Sequence, residues 1–365
     1  MTTEAAPAAT LSDADAQAVL VDLVSTPSVS GDEGAAAALL VARMRELGFD
    51  EAFVDEAGNP VGIKGRGARQ LVFLGHVDTV PGEVPIRIED GQLYGRGSVD
   101  AKGPLASFVC GVARATVAPE WSVIVVGAVE EEAPSSKGAR FAKDQYAPEL
   151  CVIGEPSDWD AVTLGYKGRL LVDFSLRHAI GHSAGPEQSA AELGCAFWAA
   201  ILAGAEELNA GEQTLFGRLD PSLLEINTQD DGLFQTVKLT ASFRTPLGFE
   251  REAWEARLRA AAPAGAELAF YGGEVAYRGG KSNALVRAFL RGIRAEGGTP
   301  RFKVKTGTAD MNVVGPQWGC PILAYGPGDS KLDHTPDEHV PLEDFQRAVR
   351  VVTRVVEQVT APGAR

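Results

Sequence analysis

Four short apolar segments, each followed by acidic or histidine residues, constrain the fold of this chain most strongly. Helix-like patterns separate these segments, which are LVFL, WSVIVVGAV, LCVIG and PILAYGPG. Unbroken apolar runs of this kind are typical of strands buried on both faces of a largely parallel sheet. Ligands of such sheets bind outside the carboxyl ends of the strands. We therefore expect one site to contain the residues just past those ends, namely His76, Glu131, Glu132, Glu155 and His334.

The pattern changes between about residues 168 and 275, where strands and helices follow the order β-α-β-β-α-β. That order is the order of a ferredoxin-like unit, a sheet with two helices on one face. Strand and helix patterning of the first kind resumes after Ala276. The sequence therefore predicts an α/β fold with a mixed, largely parallel sheet flanked by helices, built from residues 1–167 and 276–365. Residues 168–275 form an inserted ferredoxin-like α+β domain in this prediction.

Local signals predict several elements near the amino terminus. Ser12 with Asp15, and Ser30 with Glu33, have the spacing of a capping box, which predicts helices over residues 13–25 and 31–47. Asp90-Gly91 within IRIEDGQLYG predicts a tight β-hairpin.

Composition limits the classes of partner. The formal net charge of −15 argues against a nucleic acid or an anionic membrane as partner. The four cysteines are far apart and have apolar neighbours, which predicts buried thiols and a reducing compartment. The first residues lack the pattern of a signal peptide, and no run approaches the ~18 apolar residues of a membrane helix. We therefore expect a cytoplasmic protein.

Two groups of acidic and histidine residues have the chemistry of metal ligands. Asp78 follows His76 by two positions, so in an extended segment the two side chains share a face and the carboxylate can orient the imidazole. Asp100 lies in the glycine-bracketed turn GRGSVDAKG. The three acids of residues 130–132 directly follow a buried strand, where they repel one another and need a compensating cation. On a solvated face the same triplet, or a lone histidine, would indicate nothing.

Taken together, these motifs resemble the ArgE/DapE family of dinuclear zinc amidohydrolases, which includes aminoacylases, succinyl-diaminopimelate desuccinylase and related carboxypeptidases. The matching motifs span nearly the whole chain in the family's order: GHVDTVP, GRGSVDAKG, EEEAPSSKGA, VIGEPS, GHSAGP, FRTP and GPGDSKLDHTPDEHV.

The resemblance implies two Zn²⁺ ions per subunit, with Co²⁺ or Mn²⁺ as substitutes. One ion would have His76 and Glu155 as ligands, the other Glu132 and His334, and Asp100 would bridge the two. Asp78 would orient a ligand, and Glu131 would be the general base. The family usually has Asp-Glu-Glu at residues 130–132, so a slip of one residue in this assignment stays open.

The resemblance also gives the inserted domain a role as lid and dimerisation domain of a homodimer. His182 would donate a hydrogen bond to the oxyanion, from the partner subunit, and Arg244 would bind a substrate carboxylate with Asn227 nearby. Gly307 and Thr308 lie in KTGTADMN, which resembles the family's substrate-carboxylate loop. The alternative is that His182 caps a loop and Arg244 forms a surface ion pair.

Within the family, the motifs SVDAKGP, EEEAPSSKGA, GYKGR and KTGTADMN look most like the LysK type. Enzymes of that type release lysine or ornithine from the C-terminal glutamate of an acidic amino-group carrier protein in lysine or arginine biosynthesis. The alternatives are a deacetylase of N-acetyl-lysine or N-acetyl-ornithine, a desuccinylase, and an inactive relative that binds a peptide or an amino acid. An acidic carrier would need a local basic surface on this protein. One group of basic residues could form that surface, and the alternative is that these side chains are simply solvated: Arg278, Lys281, Arg287, Arg301, Lys303 and Lys305.

Overall fold

The structure is a computed structural model, and it describes residues 11–182 and 184–363. The chain divides into two compact units. The first unit contains the described residues up to Gly165 together with residues 279–304 and those from Ala309 onward. The second contains Tyr166–Arg278 and Lys305–Thr308. The return of residues 305–308 to the second unit was not predicted, because no local pattern marks it.

The bounds of the elements follow in chain order. The strands are β1 (Glu51–Val54), β2 (Pro60–Lys64), β3 (Arg69–His76), β4 (Arg87–Glu89), β5 (Gln92–Tyr94), β6 (Trp121–Ala128), β7 (Leu150–Gly154), β8 (Ala161–Tyr166), β9 (Gly168–Ala179), β10 (Asp220–Asp230), β11 (Phe234–Thr245), β12 (Glu267–Glu274), β13 (Tyr277–Arg278), β14 (Arg301–Lys305), β15 (Ile322–Tyr325) and β16 (His339–Pro341). The helices are α1 (Asp13–Ser25), α2 (Gly34–Glu46), α3 (Lys102–Arg114), α4 (Lys137–Gln145), α5 (Ala190–Leu208), α6 (Arg251–Ala261), α7 (Ala284–Ala295), α8 (Asp310–Trp318) and α9 (Leu342–Thr360).

The main sheet of the first unit is mixed, with a parallel centre. Its strands follow the order β1-β2-β6-β3-β7-β15-β8, and β14 also pairs with β8. Strand β3 runs parallel to both β6 and β7, and β15 runs parallel to β7. The carboxyl ends of these four strands therefore lie along one edge of the sheet, as predicted.

The four central strands are the predicted apolar segments, and their apolar side chains are buried. Helices α1, α3, α7 and α9 contribute side chains to the same core. Strand β7 ends at Gly154, and Gly75 precedes the last residue of β3. The two strands approach closely at these glycines, because a Cβ on Gly154 would lie 2.8 Å from the Cα of Gly75. This close approach brings the strand ends that lead into His76 and Glu155 next to each other.

The predicted hairpin is confirmed: β4 and β5 pair across Asp90 and Gly91, whose φ angles are 48° and 75°. Helix α1 has the predicted capping box of Ser12 and Asp15. The prediction of a second capping box, formed by Ser30 and Glu33, is wrong. Helix α2 begins at Gly34 without a side-chain cap, because the Ser30 hydroxyl donates to the carboxylate of Asp78 at 2.7 Å.

The second unit has the predicted order β9-α5-β10-β11-α6-β12. Its sheet has the strand order β10-β11-β9-β12, with every neighbouring pair antiparallel. Side chains of α5 and α6 pack on one face of this sheet and form a separate core with residues such as Phe174, Phe197, Phe243 and Trp254. The predicted fold class is thus confirmed, with a ferredoxin-like unit inserted into an α/β unit.

Two expectations drawn from apolar patterning have different outcomes. Across residues 11–182 and 184–363, no helix combines the length and the apolar character needed to cross a membrane. The prediction of four buried thiols is wrong for Cys195, which is exposed because its position on α5 faces away from the sheet, and Cys320 is only half-buried. Cys110 and Cys151 are buried as predicted.

Candidate metal centre

The imidazole of His76 lies at the end of β3 and is held from both sides. Its Nδ1 lies 3.0 Å from the backbone carbonyl oxygen of Asp78, and its Nε2 lies 3.2 Å from Oδ1 of Asp100. The ring is buried, with an exposed fraction of 1% for the residue. A hydrogen bond from Nδ1 to residue 78 leaves Nε2 as the ligand atom, which is the arrangement that second-sphere partners impose on metal-binding histidines.

Asp78 organises the loop that carries the neighbouring acids. Its carboxylate accepts hydrogen bonds from the backbone N–H groups of Glu131 and Glu132, at 3.1 and 3.0 Å. Burial raises the pKa of Asp78, but the hydrogen bond and charge of His76 outweigh burial, and the pKa is lowered overall. The sequence predicted only the contact with His76. The structure adds that the same carboxylate positions the backbone of the acidic loop.

The carboxylate of Asp100 lies between two histidines. Oδ1 faces Nε2 of His76, and Oδ2 lies 3.1 Å from Nε2 of His334. Oε1 of Glu132 lies 2.9 Å from the same Nε2 of His334. Asp100 is therefore positioned to share its two oxygen atoms between two sites.

Three overlapping groups of donor atoms result, each with its atoms within 4.8 Å of one another. The groups are His76, Asp100 and Glu155; Asp100, Glu132 and His334; and His76, Glu131 and Glu132. The first two groups share only Asp100 and match the implied ligand sets of two ions. Nitrogen and oxygen donors without thiolate suit zinc, and also cobalt or manganese.

The charges of the site explain its need for cations. Hydrogen bonds that the ring donates to Asp100 and Glu132 raise the pKa of His334 to about 10. Burial lowers the pKa of His76, but hydrogen bonds that the ring donates to Asp100 and Asp78 raise it well above its ordinary value. The carboxylates thus hold protons on both rings when no other cation is bound. Divalent metal ions compete with those protons for the same nitrogen atoms.

Glu131 belongs to the third donor group, with His76 and Glu132, and to neither of the two groups that share Asp100. Burial raises its pKa well above the ordinary value, the charge of His76 opposes this, and Glu155, Asp310 and Glu132 raise it further. A carboxylate with a raised pKa is suited to accept and return a proton. Glu130, by contrast, turns away and accepts a hydrogen bond from the Ser135 hydroxyl. The geometry therefore favours Glu132 over its neighbours as ligand.

Glu338 was not predicted, although it holds the backbone of Asp100. Its Oε1 accepts hydrogen bonds from the N–H groups of Val99 and Asp100 at 3.0 and 3.1 Å. Its Oε2 forms an ion pair with Arg96 at 2.7 Å. The carboxylate is fully buried. The only sequence signal was an acid four residues after His334, and nothing in the pattern connects it to residue 100.

Asp310 is a second missed residue. Its carboxylate is buried, and neither oxygen atom has a hydrogen-bond partner among the residues that the structure describes. Burial raises its pKa to about 7, while the charge of His76 opposes the rise and that of Asp78 adds to it. The sequence predicted a functional role for the loop KTGTADMN from its resemblance to the family, but only Gly307 and Thr308 were named as candidates within it.

The second unit contains the remaining candidates. His182 is exposed, and its Nδ1 accepts the N–H of Ala184 at 3.1 Å, so the proton of the neutral ring lies on Nε2, which can donate. Arg244 is half-buried, and its Nη1 donates to the hydroxyl of Thr308 at 3.2 Å. The structure therefore brings Arg244 together with the loop of Gly307 and Thr308.

Asn227 is not near Arg244 in one chain, which corrects the predicted arrangement. Asn227 lies on β10 opposite Lys238, whereas Arg244 lies opposite Asp220. Lys238 and Arg244 are six positions apart on β11, which corresponds to about 20 Å at roughly 3.3 Å per residue. The pairing register sets this distance, and the sequence did not reveal the register.

The predicted basic cluster is partly neutralised. Arg301 pairs with Asp158 and Asp160 at 2.8 and 2.5 Å. Lys303 pairs with Asp158 at 2.7 Å. The positive charges of these two side chains are therefore partly neutralised by ion pairs, and the choice between a docking surface and simply solvated side chains stays open.

Comparison with known proteins agrees with this geometry. Residues 72–358 match peptidase family M20/M25/M40. The chain belongs to this family. It is 46% identical over 357 residues to a LysW-lysine hydrolase of Deinococcus radiodurans, covering 94% of this chain and 98% of that one. It is 41% identical to a putative LysW-lysine/LysW-ornithine hydrolase of Thermococcus kodakarensis, covering 92% and 90%.

The fold is also similar to that of a solved aminopeptidase, PepT from Bacillus cereus. The TM-score is 0.78 at 18% identity, covering 97% of this chain and 100% of that one. The predicted family resemblance is confirmed by the family match. The protein is a metal-dependent hydrolase that acts on amide bonds.

Glu338→Gln should weaken zinc binding, because an amide replaces one carboxylate oxygen with a donor and leaves Arg96 without its partner. Loss of a group that orients a ligand typically costs about 10- to 100-fold in metal affinity. Calorimetric titration of metal-free protein with zinc measures the effect, and Glu343→Gln on the exposed side of α9 is the control. Unchanged zinc affinity with a lower melting temperature would mean that Glu338 only stabilises the fold.

Proposed function

We propose that this protein is a dinuclear zinc hydrolase that releases L-lysine or L-ornithine from the C-terminal γ-glutamyl group of an acidic amino-group carrier protein. The observation that carries the proposal is the 46% identity to a LysW-lysine hydrolase across 94% of the chain. The complete set of donor residues supports it, because an inactive relative would not need to retain all of them.

Two ions would be held by the two groups that share Asp100. His76 and Glu155 would complete one group, and Glu132 and His334 the other. Bound divalent ions supply a water of lowered pKa, near ~7, and polarise the scissile carbonyl. Zinc is the proposed metal, with cobalt or manganese as substitutes, because the donors are nitrogen and oxygen atoms only.

Glu131 would carry the proton during the reaction. Its carboxylate accepts the proton of the attacking water and returns it to the leaving α-amino nitrogen. The raised pKa of Glu131 favours such a shuttle, because it makes the carboxylate a stronger proton acceptor. The hydrogen bonds from Glu131 and Glu132 N–H groups to Asp78 keep the two carboxylates from exchanging roles.

The second unit would supply substrate recognition and the oxyanion donor. Arg244, with Thr308 and Gly307, would bind the carboxylate of the leaving amino acid. His182 of the partner subunit would donate from Nε2 to the oxyanion. Asn227 would also act from the partner subunit, because it lies far from Arg244 in its own chain.

A homodimer is proposed because β10 is an edge strand with exposed apolar side chains. Leu223, Leu224 and Ile226 have exposed fractions of 36%, 57% and 42%. A long apolar edge strand favours pairing with another strand. Cys195 and Leu202, both on α5, are exposed on the same unit. A second copy of this chain is the proposed occupant.

Ile226→Lys should weaken the dimer, because it places a charge in the proposed contact. Sedimentation velocity over a concentration series measures the result, and Ile88→Lys on β4 of the first unit is the matched control. A dimer of unchanged stability in Ile226→Lys would place the interface elsewhere.

Glu131→Gln should retain the zinc content of the wild type and lose most of its turnover, on the order of 10²- to 10⁴-fold, because the proton acceptor is removed. Metal analysis of the purified variant is run beside the hydrolysis assay. Loss of a zinc equivalent would show that Glu131 is a ligand and that the roles of residues 131 and 132 are exchanged.

Competition between substrates tests the proposed function itself. The zinc-loaded enzyme receives carrier-linked lysine, carrier-linked ornithine, N-acetyl-lysine, N-acetyl-ornithine and N-succinyl-diaminopimelate in one mixture, and mass spectrometry follows each product. Carrier-linked lysine or ornithine should be consumed first. Preference for an acetylated or succinylated amino acid would reject a carrier protein as the substrate.

A further inference from the structure

Arg169 is the direct cross-strand neighbour of Arg244. Arg169 on β9 pairs with Arg244 on β11 in the antiparallel register. Side chains directly opposite in such a pair lie on the same face, with Cβ atoms roughly 4.5–5.5 Å apart. Burial lowers the pKa of Arg244, and the positive charge of Arg169 lowers it further. The sheet therefore presents two guanidinium groups side by side.

The acids opposite these two arginines on the neighbouring strands are Asp220 and Glu274. Among residues 11–182 and 184–363, neither arginine forms an ion pair with a carboxylate. Asp220 lies opposite Arg244 on β10, but its carboxylate forms an ion pair with the ammonium group of Lys167 at 2.5 Å. Glu274 lies opposite Arg169 on β12, beside a bulge in the strand pairing.

The positive charges of the arginine pair are therefore not matched by an ion pair among the described residues. The Nε of Arg169 is buried and has no hydrogen-bond partner in the described chain, and Arg244 donates only to Thr308. Other half-buried cations of this protein, such as Arg96 and Lys303, each contact a carboxylate directly. Adjacent like charges in a partly buried setting are unfavourable unless an anion binds them. A ligand with carboxylate groups meets this requirement.

We propose that Arg169 is a second carboxylate-binding residue, which selects the acyl group of the substrate. This inference rests on the proposed function. A lysine joined to the side chain of a C-terminal glutamate leaves two carboxylates free, one on each amino acid. Arg244 and Thr308 bind the carboxylate of the leaving lysine, and Arg169 binds the α-carboxylate of the glutamyl residue. N-acetyl-lysine offers only the first, so Arg169 favours γ-glutamyl over acetyl substrates.

Three small substrates test the assignment: γ-glutamyl-lysine linked through the lysine α-nitrogen, the same compound with its glutamyl α-carboxylate converted to a carboxamide, and N-acetyl-lysine. Hydrogen bonds to charged groups contribute about 1.5–3 kcal/mol, so the wild type should prefer the carboxylate over the carboxamide by roughly 10- to 100-fold in kcat/KM. In Arg169→Gln this preference should fall to near one, with the carboxamide and acetyl substrates turned over as by the wild type.

Two further variants separate binding from folding. Arg169→Lys keeps a positive charge and should retain part of the preference. Arg177→Gln removes an exposed arginine from the same face of β9 and should retain all of it. Equal losses on all three substrates in Arg169→Gln, or an unchanged preference, would overturn the assignment.

The wild-type measurements distinguish the two levels of the proposal. A wild type that hydrolyses both γ-glutamyl compounds equally well would overturn the role of Arg169 and leave the proposed function standing. A wild type that hydrolyses only N-acetyl-lysine would overturn both.

Discussion

The carboxylate of Asp100, held between the imidazoles of His76 and His334, is the contact on which the rest of the site depends. Its two oxygen atoms lie 3.2 and 3.1 Å from the two Nε2 atoms. His76 arrives on a buried parallel strand, and His334 on a loop that follows another. A carboxylate that contacts both histidines must therefore be held in position by a residue outside the sheet. Glu338 does so by accepting the N–H of Asp100.

The electrostatics follow from this arrangement. Carboxylates gathered at the end of a buried sheet repel one another, and their fields raise the pKa of both histidines. The protein holds them in place through backbone hydrogen bonds, with Asp78 accepting from the acidic loop and Glu338 from the turn of Asp100. These bonds are independent of any bound cation. Such backbone hydrogen bonds lower the cost of ordering these carboxylates for a bound ion.

Much of the fold and the composition of the site could be predicted, because both depend on local patterns. Apolar runs revealed the buried strands, and parallel pairing then brought their carboxyl ends together with His76, Glu132 and Glu155. Pairing of distant residues was not predictable in the same way. Ser30 was assigned to a helix cap because the sequence does not show that Asp78, a stronger acceptor, lies beside it.

The same limit applies to Glu338 and to Asn227. Glu338 lies 238 residues from Asp100 along the chain, and only tertiary structure connects them. Asn227 was placed near Arg244 although strand register separates them, and the same register places Arg169 beside Arg244. Register depends on the turns and on packing, whereas a motif records only residue types. Charge clusters are likewise ambiguous, since Arg301 and Lys303 pair with nearby acids.

Diffraction from zinc-loaded crystals, measured on both sides of the zinc absorption edge, tests the central claim most directly. The account predicts two anomalous peaks, one beside His76 and Glu155 and one beside Glu132 and His334, with Asp100 contacting both. A single peak, or two peaks of which only one contacts Asp100, would contradict the shared-ligand arrangement.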